Sequence, residues 1–272
     1  MKAALRVLLY VVLTVAAVAI LVPFLWMISA SLKRNNEVLT IPVQWIPTDF
    51  QWKNFSSIWT QIPLGTYLRN TIFLSAVITF LQVLTGSFAA YGFAKMRFPG
   101  RDALFFAYIA TIAVPWQAYM IPQYIMMQKA GLTNTFWSLI LLQAFGAFGV
   151  FLMRQYYLTI PEELSEAARV DGLTEYGIWA RVILPLSKPA LASLALLTFV
   201  NTWNDYMGPF IYLTSNDLWT IQLGLRSFVG QFDADYAMMM TGSVLSVLPI
   251  LLIFLVGQRY FIQGIATSGM KG

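Results

Sequence analysis

An all-α membrane protein with six transmembrane helices is the fold class this sequence predicts, and three observations carry the prediction. Only 11% of the 272 residues are charged, against roughly 25% in an ordinary soluble domain, so lipid rather than water must cover much of the surface. Six apolar runs each approach the about 20 residues that a helix needs to cross the hydrocarbon with its backbone groups satisfied internally. Basic residues gather in alternate connections between those runs. A single transmembrane domain over 1–272 follows, with no internal repeat, low-complexity tract or second domain.

The spans are expected at about 7–32, 70–94, 103–127, 133–154, 185–207 and 236–258. The first follows Lys2 and Arg6 as a signal peptide would, and Ser29-Ala30-Ser31 offers small residues for cleavage. Signal cores are only about 7–15 residues long, so this longer charge-free run reads as a retained helix. With alternate crossings from a cytoplasmic start, eleven of the 17 Lys and Arg fall on the side of the termini, Lys95, Arg97, Arg101 and Arg154 among them. Both termini are therefore expected in the cytoplasm, with 33–69 and 207–235 outside.

Pro115 and Pro122 lie in the third run, where each removes a backbone donor. Either the helix breaks there and lines the bundle interior, or it is an ordinary kinked helix. The fifth run is less clean, with Lys188 near one end and Asp205 near the other. Its outer end, Asn201 to Tyr206, crowds hydrogen-bonding groups, which makes Trp203, Asn204, Asp205 and Tyr206 candidates for a substrate path or gate. A polar helix end meeting water is the other reading.

Between the fourth and fifth spans lies a cytoplasmic loop over 155–184. Pro161 suits a first helical turn, Glu162 and Glu163 favour the positive N-terminus, and Gly172 suits a stop, so a short helix is expected over Pro161–Asp171. Thr174 is a second N-cap with Glu175 behind it. Ala167 and Ala168 are small enough to let another protein approach closely, with Glu166 and Arg169 beside them.

What is missing narrows the function. Without His or Cys, the commonest metal ligand, thiolate chemistry and disulfides are all absent, and no convergent groups for an intramembrane enzyme can be assembled. The net charge of +5 is scattered between apolar runs and forms no stripe for nucleic acid. No Gly-x-x-x-x-Gly-Lys-Ser/Thr stretch exists, so energy from ATP has to come from a partner. A secondary, ion-coupled transporter is the rival reading, but its usual intramembrane ionisable groups are absent except near the ends of the fifth span.

Glu166-Ala167-Ala168-x-x-x-Gly172, then nine residues, then Val182-x-Leu184-Pro185 resembles the EAA signature of bacterial ABC-importer permeases, with Val where that pattern usually has Ile. Pro23-Phe24-Leu25-Trp26, Ala90-Tyr91-Gly92-Phe93-Ala94, Trp203-Asn204-Asp205 and Tyr260-Phe261-x-x-Gly264 extend the likeness along nearly the whole chain, toward the smaller subunit of maltose-importer-type sugar permeases. The resemblance implies a type I ABC-importer bundle in a bacterial or archaeal plasma membrane, the inner membrane where there are two. It also implies a second permease subunit in a heterodimer, two ATPase subunits and an external solute-binding protein. ATP and Mg would sit on the ATPases, with no cofactor on this chain. Glu166, Ala167, Ala168, Arg169, Asp171, Gly172, Val182, Leu184 and Pro185 would couple ATPase motion to the spans, and the tail over 259–272 would touch the ATPases. A sugar or oligosaccharide is the implied cargo, with a glycerol-phosphate derivative as the alternative.

Overall fold

The computed structural model describes residues 2–230 and 233–269, with side chains through 258 apart from those of residues 2, 3 and 256. Helices follow in the order α1 (Lys2–Ser31), α2 (Asn54–Gln61), α3 (Leu64–Lys95), α4 (Arg101–Ala110), α5 (Met120–Lys129), α6 (Phe136–Gln143) and α7 (Ala147–Tyr157). They continue with α8 (Glu162–Val170), α9 (Glu175–Leu186), α10 (Lys188–Trp203), α11 (Met207–Tyr212) and α12 (Tyr236–Gly269). No strand forms among the described residues.

Among the described residues, four segments are long and apolar enough to cross a membrane: Ala4–Ser31, Leu64–Lys95, Phe136–Tyr157 and Tyr236–Leu255. The α9–α10 pair makes a fifth if its bend lies within one span. The third expected run is not a single helix. It splits into α4 and α5 because Pro115 pushes Val114 into extended backbone at φ −83° and ψ 113°. Pro122 breaks nothing, since it sits in the first turn of α5, where its missing N–H has no intrahelical partner to lose.

The fourth expected span is also interrupted, at Ala144–Gly146 between α6 and α7. Side chains of α3 take over the freed carbonyls: Gln82 Nε2 donates to Gln143 O at 2.7 Å and Thr85 Oγ1 to Ala144 O at 2.8 Å. Such substitution lets a broken helix persist at membrane depth. Where the fifth span is expected, α10 begins at Lys188, after an 82° bend from α9. Pro185 and Pro189 supply no donors there, and the buried Ser187 hydroxyl donates to the Ile183 and Leu184 carbonyls at 2.7 and 3.0 Å.

At the other end of the chain, α12 runs on to Gly269, so the backbone over 259–269 is helical. Its 34 residues span about 51 Å at 1.5 Å per residue, well beyond the hydrocarbon. The side chains over 259–272 assigned to ATPase contact from sequence lie outside the described residues.

The chain divides into two compact units. One comprises 1–65 and 223–249. Its α1 leaves its apolar side chains exposed along most of its length, as a lipid-facing helix must. The end of α1 is pinned by polar ties, since Ser31 O accepts from Asn54 Nδ2 at 3.0 Å and from Thr241 Oγ1 at 3.1 Å. Asn35 donates to Ala234 O and accepts from Tyr236 N at 2.8 and 2.9 Å. Lys33 is buried with its amine 4.2 Å from the centre of the Trp26 ring, and burial pushes its pKa down. Gly242 allows close packing, because a Cβ there would collide with Leu225 Cδ2.

The other unit comprises 66–222 and 250–272. Ala90 and Tyr91 of α3, Val150 and Met153 of α7, Ala168 of α8, Ile178 and Trp179 of α9 and Leu194 of α10 form one buried cluster. The polar loop is thus packed into the same core as the spans.

Candidate functional site

The short helix of the loop forms where its signals place it. Pro161 and Asp171 flank α8, and Gly172 follows at φ +82°, the left-handed region that glycine enters without a Cβ penalty. Thr174 caps α9, its hydroxyl accepting from Gly177 N at 3.3 Å. One face of α8 turns inward through Ser165 and Ala168, both buried. Beside it, Leu164 at 42%, Ala167 and Val170 at 88% follow one another three residues apart as an exposed oblique stripe, with Val170 opposite the buried face. Of the two alanines, therefore, Ala167 is presented outward while Ala168 packs on this chain's own core, because i and i+1 on a helix point about 100° apart. Glu166, Asp171 and Pro185 are exposed, and Val182 and Leu184 are half-buried against the core cluster.

Arg169 does not face outward. Its guanidinium pairs with Glu175 at 2.8 Å and with Glu162 at 3.4 Å, so it ties the start of α9 to the start of α8. Lys95, at the last turn of α3 and buried, donates to the Ile160 carbonyl at 2.6 Å and pairs with Glu162 at 3.3 Å. The Tyr91 hydroxyl donates to Glu175 Oε2 at 2.5 Å. Arg169 first, then the Tyr91 hydroxyl, holds the Glu175 carboxyl below the usual range, and the same pairing raises Arg169. Five side chains thereby clamp α8 and α9 to the end of α3, and α8 stands as an amphipathic helix on a fixed base.

A cavity of about 520 Å³ lies beside the α6–α7 break. Trp116 and Tyr119 from the α4–α5 break line it, together with Gln82, Gln143, Asn201 and Asp205. Gln143 Nε2 and Gly208 N both donate to the Asp205 carboxylate at 3.0 Å. Gln82 Oε1 accepts from Thr198 at 3.3 Å, and Gln123 Oε1 from Trp116 Nε1 at 2.9 Å. Of the four residues proposed from sequence for a path or gate, only Asp205 reaches this cavity. Trp203 is fully buried and stacks on Phe199, Asn204 is exposed and donates to its own helix at Val200 O, and Tyr206 stacks on Phe210. Packing decides this: a ring with no accessible surface lines nothing.

A family model described as "Binding-protein-dependent transport system inner membrane component" matches residues 82–267, a stretch that holds the α8 loop, both helix breaks and the cavity. The chain belongs to that family. The arabinooligosaccharides transport system permease protein AraQ of Halalkalibacterium halodurans is 36% identical over 253 residues, 92% of this chain and 91% of its own length. The lactose transport system permease protein LacG of Rhizobium radiobacter is 34% identical over 259 residues, covering 95% and 94%. Among solved structures, a bacterial ABC transporter involved in the import of the acidic polysaccharide alginate matches at a TM-score of 0.82 with 26% identity, covering 94% of this chain and 95% of that one. This chain is thus a permease subunit of a binding-protein-dependent importer, like relatives that are transport subunits rather than enzymes.

Within this permease, sequence reasoning missed Lys95, Glu162, Tyr91, Gln82 and Gln143. The last two carried a usable signal. Each is an amide in the middle of a charge-free apolar run, where an unpartnered polar group would be costly. The Lys95–Glu162 pair carried none, since its members are 67 residues apart.

Proposed function

We propose that this permease forms, with a second permease subunit, the translocation path of a sugar or oligosaccharide importer and that α8 is the surface on which an ATPase subunit pushes. The observation that carries the reading is the exposed Leu164–Ala167–Val170 stripe on a helix whose other face is locked to α3 and α9. A pushed helix transmits force only if its base does not give way, and the five-membered clamp supplies that base. The cargo class rests on AraQ and LacG, whose names specify saccharides. ATP and Mg belong to two ATPase partners, with no cofactor on this chain, and an external binding protein delivers the solute.

Six crossings with both termini and the 155–184 loop in the cytoplasm agree with how the polar ties sort. Lys95, Arg154, Asp102, Glu162 and Glu175 bond among one set of connections, and Asn70, Asn134, Ser215 and Asp217 among the other. The α4–α5 segment counts as the third crossing. Its break leaves Thr111 to Pro115 exposed, and irregular backbone at membrane depth needs protein or water beside it. That need supports a second permease subunit seated there.

Reconstitution tests the reading: vesicles holding this chain, its permease partner and its ATPases should accumulate saccharide only with ATP and the binding protein. Uptake driven instead by a proton or sodium gradient would favour the secondary transporter. For topology, single cysteines at Val170 and Ser56, both exposed, should react with an impermeant thiol reagent from inside and outside respectively. Labelling of Val170→Cys in intact cells, with Ser56→Cys protected, would invert the assignment.

A further inference from the structure

We propose that the cavity between the α4–α5 and α6–α7 breaks is a solute subsite for an uncharged, polyhydroxylated segment, and that Asp205 selects against anions there. This rests on the importer reading above. The cavity volume of about 520 Å³ falls in the roughly 300–1,000 Å³ typical of small-molecule sites. Its walls combine the rings of Trp116, Tyr119 and Phe145 with the polar ends of Gln143, Asn201 and Asp205. Aromatic faces suit the C–H faces of a sugar ring and the amides suit its hydroxyls.

Charge then decides the class. Among the described residues, Asp205 is the one carboxylate lining the cavity, and no Lys or Arg lines it. Gln143 Nε2 and Gly208 N donate to that carboxylate at 3.0 Å, the Met207 backbone N–H donates to it as well, and a carboxylate accepts about four hydrogen bonds in all. About one acceptor position therefore remains for a sugar hydroxyl. A uronate or phosphate entering the same space would meet a like charge in a poorly screened setting with no cation on the wall to offset it. Hydroxyls are welcomed and anions repelled by the same group.

The chain has no cysteine, so Thr202→Cys gives a single reporter on the cavity wall. The experiment uses the full importer complex, otherwise cysteine-free, in vesicles, with the small neutral reagent methyl methanethiosulfonate and each nucleotide state tested. At least one of maltotriose, arabinotriose and cellotriose should slow the reaction at least about tenfold more than trigalacturonate does, the scale of a close like-charge penalty. Asp205→Asn should narrow that gap. Protection by trigalacturonate equal to or above that of the neutral sugars overturns the selectivity, and the likeness to an alginate importer makes this the direct rival. No protection by any saccharide, or a thiol unreactive in every state, overturns the subsite. If ATP-dependent uptake persists in those vesicles, the importer reading stands without it. If uptake never depends on the ATPases, both fall.

Discussion

The α8 loop and the α6–α7 break both hold irregular backbone in place, yet they do so with opposite chemistry. Around α8, Lys95, Glu162, Arg169 and Glu175 form a chain of ion pairs whose members, Lys95 excepted, are 35–40% exposed. Around the break, Gln82 and Thr85 donate neutral hydrogen bonds to carbonyls that lost their helical partners. Water decides which is used. Where it reaches, charges are cheap to keep and each pair contributes only about 0.2–1 kcal/mol, so several pairs acting together are needed to hold the loop in place. At membrane depth an amide satisfies a carbonyl without an ion to desolvate, and the geometry is correspondingly rigid.

The largest effect should come from the joint between the two loop helices. Gly172 has φ +82°, and a Cβ added there would meet no atom within 4 Å, so a side chain fits in space but not in backbone conformation. Gly172→Val should cost more than about 1–2 kcal/mol locally, whereas Gly172→Asn, which tolerates that region, should be nearly neutral. Solute-stimulated ATPase activity should fall to its basal level in the Val variant and recover in the Asn variant. Ala167→Trp should act on the partner side, reducing copurification of the ATPases because a packed interface accepts added volume poorly. Wild-type behaviour of both Gly172→Val and Ala167→Trp would remove the coupling role from this loop.

The neutral region should respond next. A Cβ on Gly146 would lie 2.8 Å from Gln82 Oε1, so Gly146→Ala must displace an amide already bonded to Gln143 O and Thr198. Losing one such bond is worth about 1 kcal/mol, and uptake should fall several-fold while ATPase copurification holds. Equal loss of copurification would mean that the two regions are not separable.

Within the clamp the ordering follows burial. Lys95→Met strands the Ile160 carbonyl in a buried setting and should cost about 1–3 kcal/mol, while Arg169→Gln removes half-exposed pairs and should cost less than about 2 kcal/mol. Raising salt should weaken coupling in the wild type and much less in Arg169→Gln. A salt response unchanged by that substitution would place the screened charges elsewhere.

How much of this was legible beforehand differs between the two regions for a physical reason. The ends of α8, the positive φ at Gly172 and the Thr174 cap follow from local chemistry, and local chemistry is what a single sequence records. The inward turn of Arg169, the burial of Trp203 and the Gln82–Gln143 tie depend on residues from 6 to 61 positions away or on packing, which composition and spacing do not encode. The α4–α5 break was half legible: Pro115 announced lost hydrogen bonds, but whether a helix kinks or parts there depends on what lies alongside.

The smallest effect expected is that of pH on the loop, and its sign separates the two regions once more. Glu175 is held below the usual carboxylate range by Arg169 and Tyr91, so its contribution to the clamp is fully present above the ordinary value of about 4.3 and is lost as pH falls through the lowered one. Between pH 5 and 8 the clamp should therefore be indifferent to pH. A fluorine label on Val170→Cys, exposed on the outer face of α8, should give one line shape across that window and broaden only below about pH 4. Glu175→Gln should give the broadened line at every pH, because the amide cannot pair with Arg169 as an ion. A midpoint near neutrality in the wild type would show that some other group controls the loop, since Glu175 as positioned here titrates far below it.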